Sequence, residues 1–139
     1  MFKRLKALLT RAPRLQVQHP DLGMLTLHEG YWRGEWQHED RPIGLVLAGT
    51  EAGPAPALIE RLRALLNKSS PVRQSAVEFI CAQKRLFNAS DFALRSVRFP
   101  DANRPEIFVM EFSVKGDEEG LWRVEFERNQ ATRLARDKA

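Results

Sequence analysis

Residues 43–66 read IGLVLAGTEAGPAPALIERLRALL, and a change of period inside this stretch decides the fold class. Ile43, Leu45 and Leu47 recur every second residue, the period of a strand. Thr50 to Pro56 is a loop by composition. From Pro56 onward, Leu58, Ile59, Leu62, Leu65 and Leu66 recur every three or four residues, which puts them on one face of an amphipathic helix.

On the C-terminal side, Asn67 to Pro71 ends this helix, and Ser70 before Pro71 reads as the N-cap and first turn of another. That second helix carries Val72, Ala76, Val77, Phe79, Ile80 and Phe87. A short connection predicts an antiparallel helical hairpin. Strands then return. Asp91 caps a short helical turn through Phe92 to Leu94, and Val97 and Phe99 open a strand that stops at Pro100. Ile107 to Val114 alternates, Lys115 to Gly120 reads as a hairpin loop, and Trp122, Val124 and Phe126 share one face of the next strand. A final strand is expected over Ala131 to Ala135 after a turn at Arg128 to Gln130.

On the N-terminal side, Leu15 and Val17 alternate with Gln16 and Gln18, and His19 to Gly23 is a turn. Met24 to Leu27 and Tyr31 to Gln37 read as strands, with Trp32, Gly34 and Trp36 on one face of the latter. Tight turns between these strands favour antiparallel pairing. The expected architecture is α+β: a mostly antiparallel sheet of six to eight strands, with a helical hairpin inserted mid-chain and packed on one face.

Residues 1–14 stand apart as an arm, leaving 15–139 as one domain. Lys3, Arg4, Lys6, Arg11 and Arg14 are its charges, and it holds no acid. The whole chain of 139 residues carries +4, so the part after Arg14 carries −1 and is nearly neutral. The high pI thus belongs to the arm rather than to a positive stripe on the domain. Phe2, Leu5, Leu8 and Leu9 fall on one helical face, and Pro13 ends the helix. The apolar run Ala7 to Leu9 is too short for a secretory signal, and Cys81 is the only cysteine, which excludes an intrachain disulfide. A cytoplasmic location is expected.

Catalytic motifs are not legible. His19, His28 and His38, each near an acid, lie at strand ends and turns, and their spacings of nine and ten residues match no metal-ligand pattern. Cys81 falls mid-helix, away from the helix N-terminus that activates a thiol. No serine sits in a glycine-flanked elbow, and no phosphate loop or dinucleotide fingerprint occurs. Glu35, Glu111, Glu125 and Glu127 fall in strands, where they solvate a half-exposed face or meet as acid–base pairs. Catalytic residues, metal ligands and cofactors are therefore assigned to none.

The aromatics offer a different chemistry. Trp122 reads as core beneath the helices, whereas Tyr31, Trp32, Arg33 and Trp36 fit either a core or a binding surface, since Trp, Tyr and Arg anchor interfaces. These four are the candidate binding residues.

The Leu22-Gly23 turn followed by Tyr31-Trp32-Arg33-Gly34-Glu35-Trp36, then a strand, two helices and closing strand hairpins, resembles a group of uncharacterised bacterial domains with a Leu-Gly turn and a Trp-x-Gly strand. Some of these look like immunity proteins that neutralise a partner toxin. The resemblance implies binding to a protein partner and brings no catalytic residues. Three functions follow, in order of expectation: a non-catalytic protein–protein binding module, a membrane-surface or nucleic-acid accessory protein acting through residues 1–14, and an enzyme built on strand carboxylates and a histidine.

Overall fold

The computed structural model describes residues 15–85 and 87–138. The arm, with Lys3, Arg4, Lys6, Arg11 and Arg14 and the helix expected there, lies outside the described residues. Strands β1 (Gln16–His19), β2 (Gly23–His28), β3 (Tyr31–Trp36) and β4 (Ile43–Thr50) form an antiparallel meander. A two-residue β5 (Gly53–Pro54) folds back on the end of β4. Helices α1 (Pro56–Leu66) and α2 (Pro71–Gln83) and a 3-10 turn (Ala89–Asp91) follow. A second antiparallel meander closes the chain: β6 (Phe92–Phe99), β7 (Ile107–Val114), β8 (Asp117–Glu127) and β9 (Gln130–Lys138).

The two meanders join through β4 and β6, which pair in parallel, with Leu45 opposite Val97. The order across the sheet is β1-β2-β3-β4-β6-β7-β8-β9. A parallel pair needs a long crossover, and the two helices supply it. The α+β class and the mostly antiparallel sheet are as the sequence reading has them. The strands number nine because β5 adds a short one.

Local chemistry explains the joints. Ser70 Oγ accepts a hydrogen bond from the Arg73 backbone N–H at 3.4 Å, and Pro71 occupies the first turn of α2, where its missing N–H costs nothing. Arg128 and Asn129 both take positive φ, 52° and 64°, so a two-residue turn links Glu127 to Gln130. Several boundaries differ from expectation, and β9 begins at Gln130 and runs on to Lys138 rather than covering Ala131 to Ala135. The helical turn near Asp91 lies before Phe92 rather than after it. Helix α2 stops at Gln83, short of Phe87. The hairpin loop shrinks to Lys115 and Gly116, because Val114 already pairs with Asp117. Asp117 is held in the sheet by Arg136, whose Nε and Nη2 donate to its carboxylate at 2.8 and 2.7 Å, and by Trp122 Nε1 at 3.0 Å.

The core lies between one face of the sheet and the helices. Helix α1 rests over β4, and α2 over β8 and β9. Leu58, Leu62, Leu65 and Leu66 of α1 and Ala76 and Ile80 of α2 meet the buried sheet residues in one cluster. Phe108 stacks on Phe126, with centroids 4.9 Å apart and planes 7° apart, and Phe99 packs beside it at 5.4 Å. Such pairs add about 0.5–1.5 kcal/mol beyond area burial. Behind the helices, a bidentate pair ties the β3–β4 loop to α2. Arg73 Nη1 and Nη2 donate to Glu39 at 2.9 and 3.3 Å, and Nη1 also reaches the Leu66 carbonyl at 3.4 Å. Among the described residues, no helix is long and apolar enough to cross a membrane.

Candidate interaction face

Alternation along β3 divides the candidate residues between the two faces of the sheet. Trp32 points inward, is 0% exposed, and donates its indole N–H to the Thr50 carbonyl at 2.9 Å. It is a core residue, which corrects its place among the binding candidates: a ring closed off on every side offers no area to a partner. Trp36 shares its face but sits half-buried near the sheet margin, tilted against His38 with ring centroids 4.6 Å apart. It lines a shallow cleft with Pro20, Asp21, Arg63 and Leu66. Tyr31 and Arg33 point the other way. The four residues therefore do not form one patch.

The face that Tyr31 and Arg33 share is the open one. Strand register assembles it in rows. One row runs Arg33, Val46, Arg98, Val109, Glu125 and Arg133, and the next runs Glu35, Gly44, Ser96, Glu111, Arg123 and Ala135. Arg33 and Glu35 are exposed. A groove of about 480 Å³ crosses the middle, lined among others by Tyr31, Arg33, Glu35, Gly44, Arg98 and Glu111. The Tyr31 hydroxyl closes one end, donating to the Pro100 carbonyl at 3.4 Å.

Most charges on this face are matched. Glu111, nearly buried, accepts from Ser96 Oγ at 2.7 Å and pairs with Arg98 Nη2 at 2.7 Å through the same oxygen. Arg123 pairs with Asp137 at 3.2 Å, and Arg133 with Glu125 at 3.7 Å. Glu127 meets Arg104 at 3.6 Å. The exposed pairs among these contribute little, about 0–1 kcal/mol each. Arg33 and Glu35 differ. Among the described residues neither meets an opposite charge, and Glu35 accepts only from Gln37 Nε2, at 3.0 Å.

The histidines are dispersed. His19 Nδ1 accepts from the backbone N–H groups of Asp21 and Leu22, both at 3.2 Å, and so holds the first turn. His28 ends β2 opposite Tyr31, and His38 packs at a tilt against Trp36. Among the described residues, no three His, Cys, Asp or Glu side chains gather into a metal-holding group. Glu35 and Glu111 line the same groove, but Glu111 is engaged by Ser96 and Arg98 rather than by a histidine. Burial pushes the Cys81 thiol up from its ordinary pKa, away from thiolate character. The Asp117 carboxyl is held below the usual aspartate range by its hydrogen bonds from Arg136 and, to a lesser degree, from Trp122.

Gly44, Ser96 and Arg98 were not among the sequence candidates. They come from β4 and β6, whose parallel pairing no local pattern announces. The only available signal was a glycine inside an apolar strand, which marks close approach by something else. No protein-family model, no curated protein and no solved structure matches this chain.

Proposed function

We propose that the protein is a non-catalytic protein–protein binding module, immunity-type in kind, which meets its partner through the open sheet face around Tyr31 and Arg33. The single observation that carries this reading is the asymmetry of the sheet. One face is sealed by α1 and α2, while the other presents a groove with Tyr31, Arg33 and Glu35 at its border. Tyrosine and arginine are favoured anchors at interfaces because each combines apolar area with directional donors. Met24, 48% exposed, stands on the same face in β2 and adds apolar area at the rim. The lone Cys81 suits work in a reducing cytoplasm.

The test is site-specific photo-crosslinking in the host cell. A benzophenone amino acid at position 24 is expected to give a discrete protein adduct, and the same probe at exposed Glu60 on α1 is not. Equal labelling from both positions, or none from position 24, rejects the reading.

The charge asymmetry of the chain favours a second reading, attachment through the arm at residues 1–14. Basic contacts to anionic lipid or nucleic acid weaken steeply with salt. Deletion of residues 1–14 is expected to leave the cooperativity of melting unchanged while removing low-salt binding to phosphatidylserine vesicles or to nucleic acid. Full-length protein that binds neither at low salt would end this reading.

A further inference from the structure

We infer that the groove over Gly44 is a recognition slot for an extended segment of the partner protein, which places an acid against Arg33 and a base against Glu35. The inference rests on the binding-module reading and specifies the partner's chemistry.

Three observations carry it. The first is the glycine. Gly44 sits inside a central strand, where glycine weakens pairing. Its φ is not positive. A Cβ there would meet only Ser96 Cβ at 3.5 Å and the Arg95 carbonyl at 3.6 Å, both ordinary contacts. Neither backbone conformation nor packing requires the absence of a side chain, and what that absence creates is open space on the outer face. Gly34 differs, because a Cβ on it would collide with Leu25.

The second is the pair of unmatched charges. Of the four charged groove residues, Arg98 and Glu111 pair with one another at 2.7 Å, although Arg98 Nε is buried with no hydrogen-bond partner among the described residues. Arg33 and Glu35 have no opposite charge within ion-pair distance among the described residues. They are two residues apart on one strand, so their α-carbons are separated by about 7 Å. That separation is the same-side repeat of an extended chain, somewhat longer than the roughly 5–6 Å between same-face neighbours of a helix.

The third is rigidity. Strand β3 is paired on both sides, Arg33 with Thr26 of β2 and with Val46 of β4. The spacing of the two α-carbons is fixed before the partner arrives, which lowers the backbone part of the ordering cost of binding. Groove charge is balanced overall, so a uniformly acidic or uniformly basic segment gains at one residue and is repelled at the other.

The experiment uses the full chain with the crosslinker at position 24. Gly44→Val fills the slot, and the paired reversal Arg33→Glu with Glu35→Arg inverts its polarity. Each is expected to lower adduct yield at least tenfold with the melting temperature unchanged within a few degrees. Mass-spectrometric mapping is expected to place the crosslink beside a partner segment with an acid and a base two residues apart. An adduct whose yield ignores both variants, or whose partner segment is helical or lacks that pattern, overturns the slot and leaves the binding-module reading intact. No adduct at position 24 removes both.

Discussion

The two faces of one sheet share every strand and almost nothing else. The inner face holds Trp32, Phe99, Phe108, Phe112 and Phe126, all closed to solvent beneath α1 and α2. The outer face repeats arginine and glutamate across the same strands. Stability therefore resides on one side, because apolar burial scales with area removed from water, whereas exposed ion pairs nearly cancel against their solvation. The outer face is left free to change without unfolding the domain. It is where a surface for a partner can be built at low cost to the fold.

The sharpest way to break that contrast is to empty the inner face. Trp32→Ala removes a fully buried indole and its bond to the Thr50 carbonyl, and is expected to destabilise by about 3–5 kcal/mol in urea unfolding. Next comes the joint that holds the helical layer. Arg73→Ala leaves the mostly buried Glu39 carboxylate with only Lys68 Nζ, at 4.0 Å, and is expected to cost about 2–3 kcal/mol, with the Glu39→Gln, Arg73→Gln pair recovering part of it. An outer-face substitution of comparable size is expected to do far less. Gly44→Val should be neutral or stabilising by about 0.5–1 kcal/mol, since a β-branched side chain suits a strand. A loss above that range would mean that the outer face is packed more tightly than its register implies.

The smallest effect is expected at the β7–β8 turn, and it depends on pH. The folded Asp117 carboxyl titrates below its ordinary 3.8 because Arg136 donates to it. A depressed carboxylate contributes stability above its unfolded pKa and loses it as pH falls through the lower folded value. Melting temperature measured from pH 6 down to pH 2 should therefore fall less steeply for Asp117→Asn than for the parent, with the two curves converging at the acid end. Parallel curves would show that the carboxylate makes no linked contribution.

Much of the fold is legible because period is a local property. The switch from Ile43–Leu45–Leu47 to Leu58–Leu62–Leu65 identifies strand and helix without reference to anything distant, and Ser70-Pro71 marks a helix start by its own hydrogen-bonding chemistry. The alternation that sets Trp32 opposite Arg33 is equally local. Legibility fails where a distant partner decides. Asp117 to Gly120 read as a loop, since charge and glycine favour turns, but Arg136, nineteen residues on, recruits Asp117 into β8. Phe92 reads as part of a helical turn, yet its backbone pairs with Val114.

The candidate face shows the same division. Alternation along β3 already sets which of its side chains travel together: Tyr31, Arg33 and Glu35 on one side, Trp32, Gly34 and Trp36 on the other. Tertiary structure alone decided which side the helices would cover, and that Gly44, Ser96, Arg98 and Glu111 would complete the groove. The physical reason is that side-chain direction along a strand follows from backbone geometry residue by residue. Covering one face and pairing β4 with β6 instead depend on contacts between segments about fifty residues apart, whose free energy no single segment contains.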